Sequence, residues 1–414
     1  MLNRYTNSSP LTSLIRVLSY LVLFLPVFAP IASYFVLRTA NMIFVLRTSS
    51  VIFFSISSFL SAFSLIIVLR RCSSLSNVTN LLKYCRRLSL LPTYLSTALL
   101  LVVCLYLSHI FYSISVSGLV RDDLVAEQGL SKSVSSLSLF LGILCPFFCE
   151  SRFIRHSDNA YRLLSCVPYF AAILFSSLCL LSRSDLLVPL ISYSVFATLT
   201  CRFGFKSSPC LFLVILSIPL VFVMLTAFQG RSAFDLFDAF ANVSPRILSY
   251  NVSTIFLAEA LADYVNSIPL KCHLFTPVFG TLAERLADSI SICPTSSFLS
   301  LYDNTFFYSF VRFGHEPYHV SNVFYGTPAF FMAFYSPYLG LLMLSLVLLF
   351  ASFVIPFRYF SPIYLVYFIV FFIVLSTQRH PLLNGDSLRA LLTPLLFDNF
   401  LLIMLRLRIR ALTP

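Results

Sequence analysis

Apolar residues run through this chain in long blocks, each closed by Arg, Lys, Asp or a Pro/Ser/Asn cluster. A hydrocarbon core of about 30 Å takes roughly 20 helical residues to cross. The blocks therefore predict ten membrane helices, near 17–37, 49–69, 88–112, 134–149, 163–182, 186–201, 209–226, 327–355, 362–376 and 390–405. The fourth, sixth and ninth are short for a full span. The first follows Arg4 and Arg16 but lacks a small-residue cleavage site, so it reads as an uncleaved first helix. The expected fold is an all-α, polytopic integral membrane protein: residues 1–226 as helices one to seven, 227–326 as a large external loop, and 327–414 as helices eight to ten with a basic tail.

That loop is too apolar for disorder and keeps helical periodicity. Ile255, Phe256, Leu257, Leu261 and Val265 oppose Glu259 and Asp263, and Leu282, Leu286 and Ile290 oppose Glu284 and Asp288. Phe234, Phe237 and Phe240 likewise line one side of a segment whose Asp235 and Asp238 point elsewhere. The pattern predicts short amphipathic helices that lie on the outer membrane surface or cap the bundle.

Composition agrees with lipid: 58% of residues are hydrophobic, 11% are charged, and the mean hydropathy is +0.90. The net charge of +12 would suit nucleic acid on a soluble protein, but here it sorts by side. With the N-terminus inside, cytoplasmic segments carry sixteen cations, including Arg70, Arg71, Lys83, Arg86, Arg87, Arg152 and Arg155, against Glu150 and Asp158. The external segments carry twelve cations, among them Arg38 and Arg47, against thirteen acids. Both termini are thus expected in the cytoplasm, and the basic excess needs no nucleic-acid partner. The chain has 10 Gly and no phosphate-cradling Gly-rich loop, and no His/Cys spacing suits a metal. Of 11 Cys, nine lie in or beside predicted spans; Cys272 and Cys293 lie in the external loop, where an oxidising compartment permits a disulfide. Sequence leaves open whether those two meet.

Candidate chemistry gathers in that loop. Arg binds phosphate bidentately and keeps its charge when partly desolvated. Arg231 stands in Gln229-Gly-Arg-Ser232 just after the seventh predicted helix, Arg246 in Ser244-Pro-Arg-Ile247, and Arg312 in Phe310-Val-Arg-Phe313. Each also fits an anchoring role at a helix end. The stretch 314–322 concentrates His315, Glu316, Tyr318, His319 and Asn322, supplying acid/base and hydrogen-bonding groups in a chain with 6 His. Pro317 argues against the continuous helix that a zinc-binding His-Glu-x-x-His needs. Asp398, inside the last predicted span, is a buried carboxylate suited to a proton or to a neighbouring helix.

About ten helices with inward termini, a large late external loop, Gly-Arg-Ser-Ala-Phe at its start, and Asn322 through Phe334-Tyr-Ser-Pro-Tyr-Leu-Gly340 at its end together resemble the Wzy-type O-antigen (oligosaccharide repeat unit) polymerases. The related O-antigen ligases share the Arg after a helix and a His near the loop's end. Tyr335-Ser-Pro337 departs from the family's acidic-Phe-Gly-like tripeptide. The resemblance implies a membrane glycosyltransferase at the periplasmic face of a bacterial inner membrane. It would transfer a growing glycan from undecaprenyl pyrophosphate to a new lipid-linked repeat unit. Arg231 and Arg246 would bind phosphate, Arg312 phosphate or sugar, Tyr318 and Asn322 substrate, and His315, Glu316 and His319 would deprotonate or orient the acceptor hydroxyl. The implied partners are undecaprenyl-pyrophosphate-linked oligosaccharides, membrane lipid and a chain-length regulator protein, with no cofactor, metal or nucleic acid. A ligase and a lipid-linked oligosaccharide flippase are the alternatives; the flippase should carry its ionisable groups within the spans.

Overall fold

The computed structural model describes residues 10–40, 46–73, 75–90, 100–109, 130–155, 159–180, 187–201, 248, 251–259, 261–262, 265, 276–279, 311–313, 316–318, 326–354, 361–377, 392, 396–399 and 403. These residues are helical apart from turns and one short hairpin. In chain order the helices are α1 (Pro10–Thr39), α2 (Thr48–Cys72), α3 (Leu75–Ser89), α4 (Leu100–His109), α5 (Leu130–Arg155), α6 (Asn159–Leu180), α7 (Leu187–Cys201), α8 (251–259), the single turn α9 (Thr276–Phe279), α10 (Thr327–Tyr335), α11 (Pro337–Val354) and α12 (Pro362–Phe368). A π-helical stretch, Ile369–Val374, continues α12.

Two helices, over Ser13–Thr39 and Thr48–Cys72, are long and apolar enough to cross a membrane. Helix α2 is apolar on its outward side. Its buried side mixes Ser50, Ser57, Ser58, Ser61 and Ser64 with Phe53, Phe54, Leu65, Val68 and Leu69, while Ile52, Ile56, Phe59, Phe63 and Ile66 face outward. An apolar outward face suits lipid, and small inward residues let helices approach closely. The Ser57 hydroxyl donates back to the Phe53 carbonyl (2.5 Å), and Ser64 bonds Ser352 of α11 (2.5 Å). Beyond Ser64, Arg71 donates to the Ser352 and Phe353 carbonyls at 3.3 Å each and lies over the Phe353 ring, placing a cation on the last carbonyls of α11. Ser50 and Leu339 meet at the other end, so α2 and α11 run in the same direction.

Three apolar clusters hold the bundle. One joins the second half of α2 to α3, α5, α7 and α12 with its π extension, through Leu65, Val68, Leu81, Phe147, Val195 and Tyr367. A second joins the end of α1 and the start of α2 to α8, α10 and α11 through Tyr34, Phe53, Phe54, Ile255, Phe330 and Phe331. The third packs α4, α5, α6 and α7 around Tyr169, which stacks on Phe148 with ring centroids 4.5 Å apart. Pro26 and Pro30 lie inside α1, where a proline removes a helical donor. The Pro26 carbonyl, which would bond the missing N–H of residue 30, accepts from the Thr377 hydroxyl at 3.1 Å just past the π stretch.

Several boundaries differ from the sequence expectation. The expected span 88–112 is helical over Leu100–His109 within the described residues, and a separate helix, α3, precedes it. The expected single helix 327–355 is two helices, broken at Ser336. Spans 209–226 and most of 390–405 lie outside the described residues, as do Cys272 and Cys293. Helix α8 is buried on nearly every side, from Val252 through Ala258, so it is packed into the bundle and does not lie flat with one face outward.

Candidate functional site

The break at Ser336 creates the most unusual geometry among the described residues. Pro337 disfavours helix at the residue before it, and Ser336 leaves the helical region with φ 73° and ψ 161°, a combination that glycine alone adopts without strain. The chain turns there, and Gly340 brings α11 onto the backbone of α10: a Cβ at 340 would lie 2.2 Å from the Phe331 carbonyl oxygen. Gly326, at the start of α10, is just as confined, since a Cβ there would lie 2.1 Å from the Thr377 carbonyl oxygen. Its N–H donates to the Thr254 hydroxyl of α8 at 3.1 Å, and the Thr327 N–H to the Ser376 carbonyl at 2.7 Å. The α10–α11 corner is therefore clamped by backbone contacts on both flanks.

Beside this corner is a cavity of about 540 Å³. Arg47, Ser49 and Ser50 at the start of α2 form one wall, Glu259 and Ala262 from the α8 region another, and Met332 through Pro337 with Leu339 and Met343 the third. Glu259 accepts the backbone N–H of Arg47 at 2.9 Å. Arg47 is the N-cap residue of α2 and offers no side-chain cap, so a carboxylate from 212 residues away takes the role that the Glu of a capping box usually fills. The nearby helix terminus favours that negative charge. The lining thus combines one cation, one anion, three serines, two aromatic rings and an apolar floor.

No family model, curated protein or solved structure matches the chain. The site has to be read from its own residues.

Of the site residues expected from sequence, Arg312, Glu316 and Tyr318 fall in a hairpin of β1 (Val311–Phe313) and β2 (Glu316–Tyr318). The strands are antiparallel, with Val311 opposite Tyr318, Arg312 opposite Pro317, and Phe313 opposite Glu316. Residues 316–318 are thus extended, as Pro317 implied when it argued against a helical zinc motif. Arg231, Arg246, His315, His319 and Asn322 lie outside the described residues. Tyr335-Ser-Pro337, quoted above for the departure from the family pattern, lines the cavity.

Sequence reasoning missed Arg47 and Glu259 as partners: Arg47 counted only as a flanking charge and Glu259 only as the polar side of α8. The usable signal was Ser-Pro at 336–337, which marks a helix boundary inside an otherwise uniform apolar block.

A second polar cluster joins α3, α5, α7 and the helical residues 396–399. The Tyr84 hydroxyl donates to Asp398 Oδ1, and the Tyr193 hydroxyl donates to Glu150 Oε1 at 2.8 Å. Glu150 and Arg152 are buried, and the Arg152 guanidinium lies 4.7 Å over the Phe148 ring. Burial raises the Tyr84 phenol above its ordinary range, and the Asp398 carboxylate adds to the shift. Burial likewise raises the Cys85 thiol, with Glu150 contributing after it. Asp398 therefore meets a neighbouring helix, one of the two roles expected of it.

Proposed function

We propose that the chain is a multi-span inner-membrane glycosyltransferase that polymerises lipid-linked oligosaccharide repeat units at the external face, with both termini cytoplasmic. The carrying observation is the convergence of Glu259 and Ala262 of the large loop with the start of α2 and the α10–α11 corner around one cavity that carries charged and hydroxyl groups. A helix drawn from that loop is built into the bundle, and it brings a carboxylate to the membrane boundary. The apolar outward face of α2 supports the lipid setting.

In this reading the leaving group is a lipid pyrophosphate already at the membrane surface. Arg231 and Arg246 neutralise it as its charge grows, and Arg312 binds phosphate or sugar. The acceptor hydroxyl loses its proton as its oxygen bonds the anomeric carbon and the sugar–pyrophosphate bond breaks; His315, Glu316 and His319 are the groups offered for that proton. Membrane lipid and a chain-length regulator are the accompanying partners.

Arg231→Ala tests the reading. Losing a fixed cation at a departing phosphate costs on the order of 3 kcal/mol, about a hundredfold in rate. Surface glycan should collapse from a ladder to a single repeat while the protein still inserts, and Arg231→Lys should keep part of the activity because charge survives without the bidentate fork. A flippase is the second reading, favoured by the buried Glu150 and Arg152 inside the bundle. Its failure would leave no external repeat at all, so the two readings give different gels. A wild-type ladder from Arg231→Ala would remove this residue from the site.

A further inference from the structure

The cavity at the α10–α11 corner has the wrong charge for a phosphate. Among the described lining residues one cation, Arg47, stands against one anion, Glu259, whose carboxylate also accepts the Arg47 backbone N–H at 2.9 Å, so their formal charges cancel. An anion would meet Glu259 as well as Arg47. The other polar groups are the hydroxyl-bearing Ser49, Ser50 and Ser336, with the Tyr335 ring beside them. Hydroxyls both donate and accept, a carboxylate accepts two hydroxyls at once, and a guanidinium donates in pairs. An aromatic ring adds a flat apolar surface. A ligand matching this set is neutral, carries several adjacent hydroxyls and has apolar ring faces, which describes a sugar ring. The volume of about 540 Å³ falls in the range of small-ligand pockets.

The cavity has an outward apolar edge. Leu339 lines the cavity and is half exposed, and it begins an outward apolar stripe on α11 that continues through Leu342, Leu346 and Phe350. A sugar on a lipid anchor arrives along such a face without leaving the membrane boundary. Strain at Ser336 also fits a binding corner, because a non-glycine residue held in a glycine-only conformation marks a place where the surroundings fix geometry at a cost.

We propose that this cavity binds a neutral sugar residue of a lipid-linked glycan, with Glu259 and Arg47 holding adjacent hydroxyls. The assignment rests on the polymerase reading and adds to it a sugar subsite built by α2, α8 and the α10–α11 corner, separate from the phosphate-binding arginines.

The test places a cysteine at the exposed rim, Ser49→Cys, and measures its labelling by a membrane-impermeant maleimide over the parent protein's background. Two host strains are compared, one making the lipid-linked repeat and one lacking the transferase that starts it. Labelling from outside should be about tenfold slower in the strain that makes the repeat, as expected for ligand at about ten times its Kd. Equal rates in the two strains, or no labelling in either, overturn the sugar subsite while the Arg231 result still stands or falls alone. Labelling only after the membrane is opened would put Ser49 inside, and that outcome sinks the polymerase reading together with the subsite.

Discussion

The two polar clusters of this bundle use similar residue types in opposite ways. Around Tyr84, Asp398, Glu150 and Tyr193, hydroxyls donate to carboxylates, aromatic rings fill the surroundings, and Phe147 packs edge-on against Tyr84 with centroids 5.4 Å apart. Around Arg47, Glu259 and Ser336 the groups border open volume, and one residue is held in a strained backbone conformation. Hydroxyl–carboxylate pairs packed among aromatic rings make the packing specific and fill the space that a ligand would need. Polar groups that border open volume at a clamped corner have space beside them for a ligand. Burial of ionisable groups alone would have chosen the first cluster as the site; geometry chooses the second.

The sharpest way to break this contrast is Glu259→Gln. The amide oxygen still accepts the Arg47 N–H, so the start of α2 keeps its tie to α8. The charge that strengthens a hydrogen bond to a ligand hydroxyl is lost, a difference of about 1–1.5 kcal/mol between a charged and a neutral acceptor, or roughly 5- to 10-fold in turnover. The expected outcome is a sparse, short glycan ladder from protein whose melting temperature in detergent is unmoved. A large fall in melting temperature with normal ladders would make Glu259 a clasp and nothing more.

Tyr193→Phe should show the reverse. Removing the hydroxyl deprives buried Glu150 of a 2.8 Å donor at little cost in volume. Leaving a buried acceptor short of a partner costs about 1–3 kcal/mol. Thermal unfolding should move down while polymerisation at permissive temperature stays normal. Loss of activity in stable protein would mean that this cluster works in the reaction, and it would strengthen the transport reading.

The contrast also explains what could be read from the chain. Continuous apolar blocks gave α1 and α2 because length and hydropathy decide a membrane helix locally. Helix α3 escaped notice because Lys83, Arg86 and Arg87 read as loop charges, although Val78, Leu81, Tyr84, Cys85 and Leu88 form one buried stripe at helical spacing. Block 327–355 looked uniform, and only the Ser-Pro pair betrayed the corner. The periodicity of α8 correctly marked Ile255, Phe256, Leu257, Leu261 and Val265 as apolar-facing. It did not reveal that Ser253 and Thr254 are buried too, because the neighbours that cover them come from the far ends of the chain. The cavity was illegible for the same reason: Arg47 and Glu259 are 212 positions apart, and no local pattern encodes their meeting.

The smallest expected effect lies in alkaline solution and reads the proton linkage of the closed cluster. The Tyr84 phenol is raised above its ordinary value of 10.0, first by burial and then by the Asp398 carboxylate. Below pH 10 the phenol is protonated in folded and unfolded chains alike, and its contribution to stability is fully present. As pH climbs past 10 the unfolded chain releases the proton while the folded chain keeps it, so the unfolded state binds fewer protons and stability falls. One such group gives a slope of at most about 1.4 kcal/mol per pH unit. The Cys85 thiol, also raised by burial and by Glu150, adds a similar loss that starts one unit lower, from its ordinary 9.0. Melting temperatures recorded in detergent from pH 8 to about 10.5 should therefore decline first through Cys85 and then more steeply through Tyr84. Tyr84→Phe should flatten the upper part of that decline, whatever it costs at neutral pH by removing the bond to Asp398. Glu259→Gln should leave the whole profile parallel to that of the parent. Parallel profiles for Tyr84→Phe would show that the phenol is not held neutral against Asp398, and the description of this cluster as closed would fail.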